Sequence, residues 1–487
     1  MTTTDLLILG VYIVGILVLG WAVSRRIVSF RDWFVAGGRM TTPLLVCTLV
    51  STYYGLDVLF GGSEVGYVEG VVGWFYYLRP YYLAIIVAAL LVARRLKRHD
   101  FLSLPDVAAH YYGRGTQVVV AGASFLYSLP LLAVMGLGIL LDVVLGIPFA
   151  WGVLLGAAVS IAYTLMGGLI ADALTDTVQF TLMCVTLGVA ALLALDATGG
   201  VEGLQRALPA SYFDPRGSYP GWVLLVFGLS ALSVLVEPAF YQRIFAAVSY
   251  RAVLAALAIG LLLWASFDWV VTVLGMAAAA AGVQTEPRYA LLTLVVGVLP
   301  AGLTGLFVAG VVATAMSTID SYLLIAGGNL SYDLYRPLRR APMTDAEQLR
   351  HTRWMVVVAG FVSVFFALFF QSMVSAWIFM TTVLIAAALV PILAALYLPV
   401  PPSARAGLWS SLGGLLSAVL FYAAVNLLGR PSAEWGTVIW VVSAGGVSVE
   451  LWQEYAVLVA LPVSGACFAL GQGRGRRYPS LDREVRQ

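Results

Sequence analysis

The chain has 487 residues, 61% of them hydrophobic and 11% charged, with a mean hydropathy of +0.94. A soluble protein carries about 25% charged residues, so the composition excludes a soluble globular domain and points to an integral membrane protein. The net charge of +2 gives no reason to expect a nucleic-acid partner, because the cations are segregated among connections rather than gathered on one face.

In chain order, residues 1–5 hold no basic cluster, and the first apolar run, 6–23, is long enough to span a bilayer, so no cleavable leader is expected. Further runs lie near 42–68, 70–93, 116–141, 145–166, 173–195, 220–239, 252–282, 300–327, 353–371, 375–398, 406–428 and 450–471. The expectation is an all-α integral membrane protein of thirteen spans, one transporter-like domain over 1–471 with a short basic tail at 472–487. Arg25 and Arg26 follow the first run, which puts the N-terminus outside and, with an odd span count, the tail in the cytoplasm. Alternate connections agree, apart from the turn at 167–172, which has no basic residue. Arg31 and Arg39, then Arg94, Arg95, Lys97, Arg98 and Arg114, then Arg243 and Arg251, Arg336 to Arg353, and Arg474, Arg476 and Arg477 fall on one side, against Arg206, Arg216, Arg288 and Arg430 on the other. Cys47, Cys184 and Cys467 lie in separate apolar segments and read as packing residues. His99, His110 and His351 show no metal-ligand spacing.

Two spans are interrupted. The second contains Ser51-Thr-Tyr-Tyr-Gly55-Leu-Asp57 and then Gly61-Gly62-Ser63-Glu64, where glycines and acids mark a discontinuous helix along a polar cavity. The bland alternative, a glycine-rich packing face with acids at the rim, suits Glu64 better than Asp57. The seventh contains Glu237-Pro238, and proline removes a helical donor. Breaks five spans apart point to a five-plus-five inverted repeat, about 42–195 and 220–398, with one extra helix before it and two after. A substrate near the midplane would meet Asp57, Val58, Arg79, Glu237 and Tyr241, with Trp377 or Thr381 from the eleventh span. Asp57 and Glu237 favour an amine or several hydroxyls and Arg79 a carboxylate, unless Arg79 pairs with Asp57 or Glu64.

The sixth span opens on Gly167-Gly168 and continues to Thr175-Asp176-Thr177-Val178-Gln179, with Asp176 about two turns past the glycines. Asp176 is either a carboxylate answering its own helix dipole or a functional group. In the ninth, GVVATAMSTIDSYLLIAGGNLSYDLYR, Thr314, Ser317, Thr318 and Ser321 form one stripe of hydroxyls, with Asp320 about 100° away around the helix. Hydroxyls and carbonyls are hard ligands suited to a small hard cation. The other reading is that small residues let two membrane helices pack closely.

Ala-Met-Ser-Thr-Ile-Asp-Ser, followed by Leu-Leu and Asp-Leu-Tyr, resembles the eighth core-numbered helix of the sodium/solute symporter family. Gly-Gly … Thr-Asp-x-x-Gln in the sixth span, Leu104-Pro105-Asp106 and Gln242-Arg243 are similar to that family too, and the resemblance covers roughly residues 5–400. It implies the leucine-transporter-type fold and sodium-coupled import of a small polar organic solute by alternating access, with Na+ as the coupling ion. It also implies a main sodium site made of the carbonyls of Ser51, Tyr54 and Thr314 and the hydroxyls of Ser317 and Thr318. A second site, held in some relatives, would use Asp176, Ser317, Thr318 and Ser321. The expected partners are a small-molecule substrate and the lipid bilayer of the plasma (inner) membrane, with no obligatory protein partner. A proton-coupled carrier titrating Asp176 or Asp57, or a passive channel, are the rival readings. An enzyme is not expected, since the spans carry no nucleophile–base or metal constellation.

Overall fold

A computed structural model of the protein describes residues 1–24, 29–165, 168–339, 341–370, 372–398, 403–432, 437–444 and 447–472. Arg25, Arg26, Gly167, Arg340 and the tail with Arg474, Arg476 and Arg477 lie outside the described residues, as does the side chain of Asp57. Among the described residues eleven helices are long and apolar enough to cross a membrane, or twelve if one bent pair is a single span, and two shorter apolar helices accompany them.

The helices are α1 (Thr3–Ser24), α2 (Thr42–Tyr53), α3 (Gly62–Glu69), α4 (Gly73–Leu96), α5 (Arg114–Leu145), α6 (Phe149–Thr164) and α7 (Leu169–Ala197). They continue as α8 (Gly221–Ala246), α9 (Tyr250–Ala280), α10 (Pro287–Val298), α11 (Leu303–Leu338), α12 (Asp345–Phe369), α13 (Met373–Tyr397), α14 (Ala404–Leu428) and α15 (Ala456–Gly471). Burial ranks them: 94% of the apolar window of α11 is buried against 17% for α1, so α11 is the central post and α1 lies at the lipid face.

Both expected breaks are present, and local chemistry accounts for each. Pro43 starts α2, where its missing N–H is harmless. The helix ends at Tyr53, Tyr54 leaves helical geometry (φ −95°, ψ 62°), and the chain resumes through a wide turn at Asp57–Gly61 into α3, a 52° bend. In α8 the Gly221–Ser230 helix tightens into a 3₁₀ turn over Ala231–Val236. Glu237 is extended (φ −75°, ψ 124°), as a residue before proline prefers, and Pro238 opens the segment Pro238–Ala246. The helix α3 packs backbone to backbone on α9: a Cβ at Gly66 would sit 2.5 Å from the Thr272 carbonyl oxygen, and one at Gly275 would sit 2.3 Å from that of Ser63. Only glycine permits that approach.

Two features depart from the sequence reading. Between α14 and α15 stand β1 (Arg430–Ser432), β2 (Thr437–Ala444) and β3 (Val447–Trp452), an antiparallel sheet in that order with Val441 opposite Glu450. Its run Thr-Val-Ile-Trp-Val-Val is rich in β-branched and aromatic residues, which favour a strand. The last apolar run therefore starts as a strand, and its helix begins at Ala456. Arg243, counted above as a loop cation, is 1% exposed in the last turn of α8.

Candidate ion and substrate site

The last turn of a helix leaves carbonyls with no helical N–H to bind, and α2 ends beside the middle of α11. There the Thr318 hydroxyl donates to the Thr52 carbonyl at 3.3 Å and to the Thr314 carbonyl at 3.2 Å. The hydroxyls of Ser51 and Ser317 are buried and have no hydrogen-bond partner among the described residues. Thr314 bonds its own hydroxyl to the Gly310 carbonyl at 2.9 Å, so it offers the site its backbone oxygen. Tyr54 is buried with its phenol donating to the Phe267 carbonyl at 3.2 Å.

Toward the end of α8, the Gln242 amide donates to the Phe34 carbonyl (2.8 Å), and its oxygen receives the Arg243 guanidinium (2.8 Å). The other guanidinium arm donates to Thr48 (3.2 Å), Thr52 (2.8 Å) and Ser321 (2.5 Å), and approaches Asp172 at 3.5 Å. Ser321 donates to Asp172 at 2.5 Å and lies 2.9 Å from the Thr52 hydroxyl. Ser321 thus belongs to the Arg243–Asp172 network. Asp176, one turn further along α7, is fully buried beside Ser317 and Thr48, and neither carboxylate oxygen meets a hydrogen-bond partner among the described residues. Asp320 accepts from Thr164 at 2.8 Å through one oxygen and leaves the other buried without a partner among the described residues. Of the three buried acids Asp172, Asp176 and Asp320, Arg243 contacts Asp172 alone among the described residues, in the interior of a membrane protein where an uncompensated charge is costly.

The two breaks meet at a narrow cavity of about 60 Å³. Tyr53 and Val58 reach it from the first break, Val234 and Glu237 from the second, Trp264 and Asp268 from α9, and Trp377 from α13. Tyr77, Tyr81, Tyr82 and Tyr127 complete an aromatic wall. Glu237 accepts from the Tyr322 phenol at 2.6 Å and keeps a second buried oxygen without a partner among the described residues. Tyr322 stands one turn past Thr318 on α11, so the hydroxyl stripe and the cavity acid share one helix. Tyr82 donates to Asp268 at 2.5 Å and Trp377 to Tyr81 at 2.6 Å. A larger recess of about 520 Å³ opens beside the sheet, with Glu64, Arg288, Ser372 and Glu454 on its walls, but neither the hydroxyl stripe nor Glu237 borders it.

Of the other sequence candidates, Arg79 is exposed, with its guanidinium 5.6 Å from the Trp74 ring centre and 4.8 Å from that of Phe75. It does not line the cavity. Glu64 accepts from Ser372 at 2.9 Å. Tyr241 and Thr381 are buried and spend their hydroxyls on the carbonyls of Leu235 (2.9 Å) and Ile378 (3.0 Å), away from the cavity wall. Sequence reasoning missed Asp268 and Tyr322. A lone acid inside the apolar run of α9 was the available signal for the first.

A family model described as the sodium:solute symporter family matches residues 33–414. The chain belongs to the sodium:solute symporter family. This symporter is 24% identical over 394 residues to the sodium/proline symporter of Haemophilus influenzae, covering 74% of this chain and 77% of that protein. It is 25% identical over 342 residues to the sodium/pantothenate symporter of Escherichia coli, covering 66% and 69%. Its fold is similar to that of a Na+-coupled sialic acid symporter in a substrate-bound outward-open state, with a TM-score of 0.77 and 15% identity over 96% of this chain and 97% of that one. The symporter is a multi-pass membrane transporter, not an enzyme, and sodium is its coupling ion.

Proposed function

We propose that this symporter imports a small polar solute bearing an amine or several hydroxyls, driven by sodium through alternating access. The observation that carries this is Glu237, which lines the cavity between the two breaks and is tied through Tyr322 to the helix of Ser317 and Thr318. An aromatic wall suits a cation through the ring faces and sugar-like hydroxyls through the phenols. Among the described residues the cavity has two acids, Glu237 and Asp268, and no basic residue on its wall, and Arg79 stays outside it.

The main sodium site is the carbonyls of Ser51, Tyr54 and Thr314 with the hydroxyls of Ser317 and Thr318. The approach of Thr318 to the last turn of α2 and the unpartnered Ser317 hydroxyl support it. A second ion sits at Asp176 with Ser317 and Thr318; Ser321 joins it only by leaving Asp172 and Arg243. An ion bridging α2 and α11 favours the outward-facing state because that state brings its ligands together. Differential affinity of this kind is what couples ion to solute. Counting the bent pair α2–α3 as one span and α6 as another beside the eleven long helices supports thirteen spans. In that arrangement α10 does not cross, the inverted repeats run over about 42–195 and 220–398, and α1, α14 and α15 are extra. The N-terminus is then outside and the tail in the cytoplasm.

Proteoliposomes with an inward sodium gradient should concentrate an amine or polyol from a chemically varied panel, and potassium should not replace sodium. Uptake driven by a pH gradient without sodium, or flux that neither saturates nor follows a gradient, refutes this reading. Glu237→Gln should raise the half-saturating solute concentration about 10- to 100-fold, since a hydrogen bond to a charged group contributes about 1.5–3 kcal/mol. Sodium dependence should be unchanged. An equal loss of sodium affinity would move Glu237 into the ion pathway. For topology, Ser211→Cys in a background lacking the three native cysteines should react with an impermeant maleimide in intact cells. Ser480→Cys should react only after permeabilisation, and labelling of it in intact cells overturns the orientation.

A further inference from the structure

Behind the hydroxyl stripe a small cavity of about 10 Å³ lies where α6, α7 and α11 meet, bordered by Tyr163, Thr164, Gly168, Asp172 and Asp320. Both acids are nearly solvent-free, at 5% exposure for Asp172 and 3% for Asp320. Each spends one carboxylate oxygen on a bond within the protein: Asp172 on Ser321 and Arg243, Asp320 on Thr164. The other oxygen of each is buried without a partner among the described residues. Buried polar atoms are rarely left so, and an explanation is a water, an ion or a functional role.

Charge favours an ion. Among the described residues the Arg243 guanidinium contacts Asp172 and neither Asp176 nor Asp320, so with all three acids ionised a surplus of two negative charges is left. A sodium ion at Asp176 removes one and leaves the other on the side of Asp172 and Asp320. The helix ends nearby largely offset each other, since α6 ends at Thr164 with its carbonyls while α7 begins at Leu169 with its N–H groups. The carboxylates therefore decide the sign. Among the described residues no three His, Cys, Asp or Glu side chains converge as a divalent metal would require. Two carboxylates and a hydroxyl suit a monovalent hard cation.

We propose that Asp320, Asp172 and Thr164 bind a sodium ion of their own, separate from the ions at Ser317, Thr318 and Asp176. The site rests on the symporter reading above but uses none of the ligands assigned there. Its occupancy fixes α11 to α6 and α7 on the face away from α2, so an ion here steadies the post against which the broken helix moves.

Equilibrium binding of radioactive sodium to the purified full-length protein tests the site, with bound ions counted per protein. Asp320→Asn should lower the count by one ion, and Thr164→Val should weaken that ion by about tenfold while keeping the count, as loss of one hydroxyl contact to a charged partner implies. Ser317→Ala with Thr318→Ala should remove different ions, so combining it with Asp320→Asn should lower the count further. An unchanged count and affinity in Asp320→Asn overturns the site while leaving the symporter reading intact. So does an infrared band of a protonated carboxyl in sodium-saturated parent protein that vanishes in Asp320→Asn. Absence of any sodium binding by the parent overturns both. If Asp320→Asn does not fold, Thr164→Val decides alone, and unaltered sodium affinity in it overturns the proposal.

Discussion

Ser317→Ala combined with Thr318→Ala is expected to raise the sodium concentration for half-maximal uptake by at least about 100-fold. The double variant removes two hard oxygens, each worth about 1.5–3 kcal/mol when bonded to a charged group, and about 1.4 kcal/mol is a factor of ten. Alanine is the best helix former, so α11 should persist. Thr318 loses bonds to the carbonyls of Thr52 and Thr314, at 3.3 and 3.2 Å, a smaller cost because the Thr314 carbonyl also belongs to the helix ladder. The Ser317 hydroxyl reaches no partner at hydrogen-bond geometry among the described residues, although it lies beside Asp176, so its loss costs the packing little. If both residues only allowed close helix packing, Ser317→Ala alone would be nearly silent in sodium dependence, and the double variant would lose thermal stability instead. The measurement is sodium-activated uptake at saturating solute, with expression and melting temperature followed in parallel.

The breaks in α2–α3 and α8 were legible because glycine and proline act locally: Gly55 releases the chain and Pro238 stops it wherever tertiary contacts lie. The hydroxyl stripe was legible for a related reason, since period 3.6 places Thr314, Ser317, Thr318 and Ser321 on one face before any neighbour is known. What the stripe touches was not. Ser321 bonds to Asp172, 149 residues away, and Arg243 approaches the same carboxylate from 71 residues away. Charge counting read Arg243 as a loop cation because it stands a few residues before a connection, and position in sequence carries no information about depth. Arg79 failed the other way: a cation within an aromatic run looked like a substrate contact, but its guanidinium stacks on Trp74 and Phe75 at the surface. The sheet was hidden because alternating strands of valine, isoleucine and tryptophan are as apolar as a membrane span, and hydropathy alone does not separate them.

Asp176→Asn should lower the Hill coefficient for sodium from near two towards one, with uptake reduced but not abolished. The argument starts from burial: Asp176 has no exposed surface, and neither oxygen has a hydrogen-bond partner among the described residues, although Ser317 and Thr48 are beside it. An ionised carboxylate in that setting costs several kcal/mol unless a cation sits against it. Arg243 is committed to Asp172, Thr52 and Ser321, so Asp176 is neutralised either by a bound ion, as proposed, or by a proton. Asparagine keeps the shape and removes the charge. If sodium supplies that charge, the variant loses one ion per cycle and keeps the main site, whose ligands are neutral. A carboxylate that merely answers the dipole of α7 predicts the opposite pattern: lower thermal stability and unchanged sodium stoichiometry. That role suits Asp172 better, since Asp172 stands in the first turn and Asp176 one turn beyond it. Sodium-to-solute flux ratios in proteoliposomes decide between the two. An unchanged ratio in Asp176→Asn would leave the residue a structural one, and the ion proposed beside Ser317 would have to be withdrawn.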